Sequence, residues 1–149
     1  MWVKLARASS VFYHETAEHI RTCGLTVAQF GVLEVLGHKG PLTLGELCRK
    51  GLVSRGNMTV VVDNLEREGL VQRCRSTADR RVIEARLTAK GKRLFDRIFP
   101  EHAKHVVGLA SVLSEEEQLK LGSLLKKLGT RLAQKRNQIH SRKSTISIK

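Results

Sequence analysis

The sequence predicts a mainly helical α+β chain in which amphipathic helices are interrupted once by a small two-stranded sheet. Three observations carry this. Apolar residues recur at helical spacing over most of the 149 residues, whereas strand patterning is confined to 70–75 and 82–87. Between Ser54 and Gly91 the order is helix, strand, basic turn, strand, helix. Three capping boxes, Thr26-Val27-Ala28-Gln29, Thr43-Leu44-Gly45-Glu46 and Ser114-Glu115-Glu116-Glu117, mark helix starts.

The elements follow in order. Residues 2–22 read as a first helix with Trp2, Leu5, Phe12 and Ile20 near one side, ended by Cys23-Gly24. A second helix runs from the Thr26 cap through Phe30, Leu33 and Leu36 and is expected to stop between Gly37 and Pro41. A short third helix opens at Thr43 and buries Leu44, Leu47 and Cys48. Ser54 caps a fourth helix that reaches about Glu68, with Met58, Val61, Val62 and Leu65 within one inward arc.

In the second strand Ile83, Ala85 and Leu87 alternate with Glu84 and Arg86, and the turn between the strands is 76–81. A long helix begins near Thr88, and Pro100 should kink it by removing one backbone bond. The last helix repeats Leu121, Leu125, Leu128 and Leu132, with acids in its first turn. The expected organisation is a helical region from 1–24 and 92–136, a central region over 25–91, and a disordered basic tail over 137–149.

Composition narrows the function. With 27 Lys plus Arg against 14 Asp plus Glu, the formal charge is +13, which attracts nucleic acid first and anionic membrane second. No apolar run approaches the roughly 20 residues of a spanning helix, and charge interrupts the N-terminal stretch too early for a signal-peptide core. No membrane association is expected. The three cysteines fit neither a disulfide framework nor a zinc cage, and free thiols point to a reducing cytoplasm. No nucleophile–base–orienter set or phosphate-binding glycine loop is present, so neither an enzyme nor a cofactor is expected.

The fourth helix carries the functional signal. Its uncovered arc holds Gly56, Val60, Asp63 and Arg67, flanked by Arg55, Asn57, Thr59 and Asn64. A polar arc is ordinary on any surface helix. Here it follows a helix and turn and precedes a basic ribbon, the arrangement of a winged helix-turn-helix that reads duplex DNA. Arg55, Asn57, Thr59 and Asn64 offer hydrogen bonds to bases or phosphates, and Val60 suits a thymine methyl. In the wing, Arg73, Arg75, Arg80 and Arg81 cluster around the turn beside Asp79, which favours phosphate and minor-groove contact over simple solvation. The candidate DNA-contacting set is Ser54, Arg55, Gly56, Asn57, Thr59, Val60, Asn64, Arg67, Arg73, Arg75, Asp79, Arg80 and Arg81.

The stretch from Ser54 to Val71, then Asp79-Arg80-Arg81, then Leu87-Thr88-Ala89-Lys90-Gly91, resembles the MarR family of bacterial transcriptional regulators. The resemblance runs from the first helix to about Leu132 and keeps the spacing of helix, wing and Leu-Thr-x-x-Gly. It departs at Val60, where many members carry a larger polar residue. The resemblance implies a homodimer on a pseudo-palindromic double-stranded operator, acting as a repressor released by a small-molecule effector or thiol oxidation. It places the first and last two helices at the dimer interface and has Asp79 orient Arg81 toward the minor groove.

Candidate sensing residues are Phe12, His19, Phe30 and Phe99 for a ligand between the first, second and fifth helices, and Cys23 for oxidation. The ordinary reading of Cys23 is an inert helix-end residue; Cys48 and Cys74 read as small core residues. His14-Glu15-Thr16-Ala17-Glu18-His19 lacks the one-face spacing of a zinc-protease helix. His102 and His105 share a face, and a metal or acidic-ligand site with His14 or His19 across helices is the alternative to weigh. Hydrogen-bonded histidines are the ordinary reading, and no metal is expected. The basic tail either adds non-specific DNA affinity or is merely solvated. The alternative for the whole chain is a non-specific architectural DNA- or RNA-binding protein.

Overall fold

A computed structural model describes residues 1–50, 55–76 and 79–146, with positions 55, 56 and 136–146 given as backbone alone. The order is α1 (Trp2–Thr22), α2 (Val27–Lys39), β1 (Leu42–Thr43), α3 (Leu44–Lys50), α4 (Arg55–Arg67), β2 (Val71–Arg75), β3 (Ile83–Leu87), α5 (Ala89–Ala110) and α6 (Glu115–Ile146). Met1–Val107 forms one compact unit and Gly108–Lys149 a second. The first helix and most of α5 thus share a unit with the central region.

All three capping boxes form. Thr26 Oγ1 accepts from the Gln29 amide at 3.1 Å, and the Thr26 amide donates to Gln29 Oε1 at 2.9 Å. Thr43 with Glu46 and Ser114 with Glu117 repeat the exchange. The amide of Thr43, followed by its hydroxyl, holds the Glu46 carboxyl below the usual range. Thr88 caps α5 by accepting from the Gly91 amide at 3.0 Å.

α2 runs to Lys39 and ends on Gly40 at φ 76°, within the expected 37–41 stop. Gly37 is a packing residue: a Cβ there would lie 2.5 Å from the Phe95 ring. α5 passes through Pro100. β2 and β3 pair antiparallel, and β1 adds a third strand at the far side of β3 (order β1-β3-β2). Two residues are too few to show alternation, which is why the sequence suggested only two strands.

α6 extends to Ile146, so the backbone of residues 137–146 is helical where the sequence suggested a disordered tail. Polarity removes a buried face but not the backbone bonds, and beyond Gly129 no Gly or Pro interrupts them.

The core of the first unit joins Ile20, Phe30, Leu33, Leu36, Leu47, Met58, Val62, Leu65, Val71, Ala85 and Ile98. The inward arc of α4 is fully committed: Met58, Val61, Val62 and Leu65 are 1, 6, 0 and 0 % exposed. Leu44 and Cys48 are half-buried, and only Leu47 of their helix is fully covered. No helix among the described residues is long and apolar enough to cross a membrane.

Candidate nucleic-acid interface

α4 is anchored inward by those four side chains, and this leaves its opposite arc to solvent. Asn57, Thr59, Asp63 and Arg67 are exposed, Asn64 is half-buried, and Val60 is 53 % exposed despite being apolar. Arg67 donates to Asn64 Oδ1, one turn earlier. Ser54 and the side chain of Arg55 lie outside the described residues, and Gly56 is described by its backbone alone.

The helix ends in a tight reversal. Gly69 sits at φ 69°, its amide donates to the Glu66 carbonyl, and the Leu70 amide reaches the Leu65 carbonyl, each at 2.9 Å. The start of α5 locks this corner. Thr88 Oγ1 donates to the Gly69 carbonyl at 2.7 Å, and Lys90 Nζ to the Glu68 carbonyl at 2.8 Å. Gly91 packs so closely that a Cβ would fall 1.9 Å from the Leu70 carbonyl oxygen. The Leu-Thr-x-x-Gly run therefore holds the exit of α4 against α5.

In the wing, Arg75, Arg80 and Arg81 are exposed, and the Arg81 side chain is 91 % accessible. Asp79 accepts from the Arg81 amide at 3.0 Å and from Arg81 Nε at 3.3 Å. The amide bond first, and the guanidinium second, keep the Asp79 carboxyl below its ordinary range. Thr77 and Ala78 lie outside the described residues.

Arg73 differs from its neighbours. Strand pairing places it opposite Ala85, on the ribbon face shared with buried Val71. Its guanidinium bonds Asp63 at 2.5 Å and also Glu66, while its amide donates to Glu66 Oε1 at 2.9 Å. The grouping of Arg73 with the groove-facing arginines thus meets an internal partner set that the sequence did not reveal. Cys74, one residue on, takes the opposite ribbon face. It is half-buried with Sγ 3.7 Å from the Glu84 carbonyl.

A cavity of about 540 Å³ lies beside this surface. Its lining includes Tyr13, Phe30, Glu34, Lys50, Asn57 and His102, so α4 contributes one wall. Of the expected ligand residues only Phe30 borders it. Phe12 is exposed on α1, and Phe99 packs with His38 and Phe95. His19 lies behind the lining, its Nδ1 3.3 Å from that of His102, and its ring stacks on His105. His102 is 8 % exposed; burial first, then the neighbouring imidazoles of His19 and His105, depress its pKa. Among the described residues no group of three or more ligating side chains is arranged to hold a metal. Cys23 is half-buried with Sγ directed at the His19 carbonyl, 3.5 Å away.

Residues 24–82 match the family model of the MarR family. The chain is 39 % identical over 138 residues to the HTH-type transcriptional regulator MhqR of Bacillus subtilis, covering 93 % of this chain and 95 % of that protein. It is 32 % identical to the HTH-type transcriptional repressor MdtR of the same organism, covering 76 % of this chain and 74 % of the relative. Among solved structures it resembles Bordetella bronchiseptica BpsR, whose DNA binding is regulated by 6-hydroxynicotinic acid. That match has a TM-score of 0.77 at 25 % identity, over 87 % of this chain and 92 % of BpsR.

Proposed function

Because the chain belongs to the MarR family and is a DNA-binding transcriptional regulator rather than an enzyme, we propose that it is a homodimeric repressor released by a small aromatic acid. Each protomer seats α4 in a major groove and its 76–81 turn in the flanking minor groove. Two-fold symmetry sets the half-sites about one helical turn, roughly 10 base pairs, apart. The observation that carries this reading is the division of α4 into a fully buried arc and an open polar arc, braced at Gly69 and followed by the exposed Arg75, Arg80 and Arg81.

Dimerisation is supported by apolar surface that one chain leaves in water. Trp2, Val11, Phe12 and Tyr13 on α1 and Leu119, Leu121, Leu124, Leu125 and Leu132 on α6 are all 41 % exposed or more. Repression is supported by the relationship to MdtR.

The effector reading rests on the cavity. Phe30 and Tyr13 offer flat apolar faces, and Lys50 and His102 offer donors to a carboxylate. Regulation of BpsR by a hydroxylated aromatic acid fits that chemistry. Asn57 borders the same space, so an occupant bears directly on the first turn of the DNA-reading helix. A coupling of about 1–3 kcal/mol weakens operator binding about 5–150-fold.

Selection of bound duplexes from a random library tests the proposal. The expected product is an inverted repeat bound about 10³-fold or more above scrambled DNA at fixed salt. Hydroxybenzoates and hydroxynicotinates should then release it. No enriched motif would instead favour a non-specific architectural protein.

A further inference from the structure

We propose that Arg73 is a positioning residue for DNA binding: it clamps the wing to the DNA-reading helix and shields that helix's carboxylates from phosphate. This rests on the DNA-binding reading of α4 and the wing.

The geometry is specific. Asp63 and Glu66 are one turn apart on α4, and the two are 49 % and 38 % exposed. The Arg73 guanidinium spans both, and the Arg73 amide adds a third bond to Glu66. A planar fork satisfies two carboxylates at once, which a lysine ammonium does far less well. Burial works against the Arg73 charge, but the bonds to Asp63 and Glu66 outweigh it and raise the guanidinium pKa. The Arg73 amide foremost holds the Glu66 carboxyl below its usual range.

Two consequences follow for binding. The wing leaves α4 at the Gly69 turn, and the clamp closes the angle between them a short way above that turn. Helix and wing tip then reach adjacent grooves as one body, which binding to a defined site needs and loose electrostatic attraction does not. In addition, Asp63 shares its arc with Val60 and Arg67. Without Arg73, two carboxylates would face the phosphates uncovered. A guanidinium bound in this way is unavailable to neutralise a phosphate, in contrast to Arg81 with its 91 % exposed side chain.

The test uses the full chain, the duplex enriched by selection, and a scrambled duplex, titrated over a range of salt. Arg73→Gln and Glu66→Gln should each weaken binding to the selected duplex about tenfold. Scrambled binding should change less, and the slope of log K against log salt should stay as in the parent. Arg81→Gln should reduce that slope by about 0.9, as loss of one phosphate contact does. Glu66→Gln is the sharp case, because it adds net positive charge and by charge alone would tighten binding.

Tighter or unchanged binding by Glu66→Gln, or a slope lowered by about 0.9 in Arg73→Gln, would overturn the clamp. Melting curves without DNA confirm that each variant folds. Should Gln at 73 not fold, Arg73→Lys decides: weakened selective binding supports the clamp, and parental binding makes residue 73 a simple phosphate ligand. Failure of Arg81→Gln to affect any duplex would instead remove the DNA-contacting role of the wing, leaving the clamp to be judged on Glu66→Gln.

Discussion

α4 and α6 carry the same kind of apolar stripe and meet opposite fates. In α4 the stripe is covered within the chain, with Val62 and Leu65 fully inaccessible. In α6 it remains in water, with Leu121 and Leu125 still 45 % and 43 % exposed. The glycines show the same contrast. Gly91 presses against the Leu70 carbonyl, whereas a Cβ at Gly122 or Gly129 meets open space. One region is finished by its own chain, and the other is an apolar surface that the proposed dimer would cover. Periodicity reports that a helix has an inside; only the fold reports whose inside it is.

The largest effect is expected where the first region is tightest. Gly91→Ala forces the start of α5 away from Leu70 and should cost about 4 kcal/mol or more, read as a drop in the denaturant midpoint. A near-parental midpoint would mean that the α4–α5 corner tolerates the shift and is not the brace described. Next comes the second region. Leu121→Glu combined with Leu125→Glu removes two apolar side chains from the exposed stripe and should weaken self-association by about 3 kcal/mol or more. Sedimentation should then show monomers at concentrations where the parent is dimeric. Undiminished dimers would place the interface elsewhere and dissolve the contrast.

The smallest effect is one of pH, again in the first region. The pKa of His102 lies below its ordinary 6.5 in the folded chain, through burial and then through His19 and His105. Above 6.5 both folded and unfolded chains hold it neutral. As pH falls past 6.5 the unfolded chain takes the proton first, so stability declines from there down to the folded pKa. The melting midpoint should therefore fall between pH 7 and pH 5.5, and His102→Gln should flatten that decline. An equal decline in the variant would assign it to other groups.

Much of this was legible from local chemistry. Capping boxes act over three residues, so Thr26, Thr43 and Ser114 announced their helices, and the inward arc of α4 followed from spacing alone. What escaped depends on contacts distant in sequence. β1 has two residues and exists only because β3 lies beside it. The partners of Arg73 follow from strand phase, which is fixed by pairing with Ala85 and not by the run of arginines. A meeting of His102 with His19, 83 positions away, was raised from the sequence, but no spacing rule could place His102 in the lining of the cavity. The outer arc of α4 was legible as a surface, while its neighbourhood with the cavity through Asn57 was not.

The central claim is that two copies of α4, spaced by a dimer, read one symmetric site. The most direct measurement is the mass of the complex on the selected duplex, taken during titration against scrambled DNA at fixed salt. Two protomers per inverted repeat, with selective binding about 10³-fold or more above scrambled, is the predicted result. Single protomers binding both duplexes equally would contradict it.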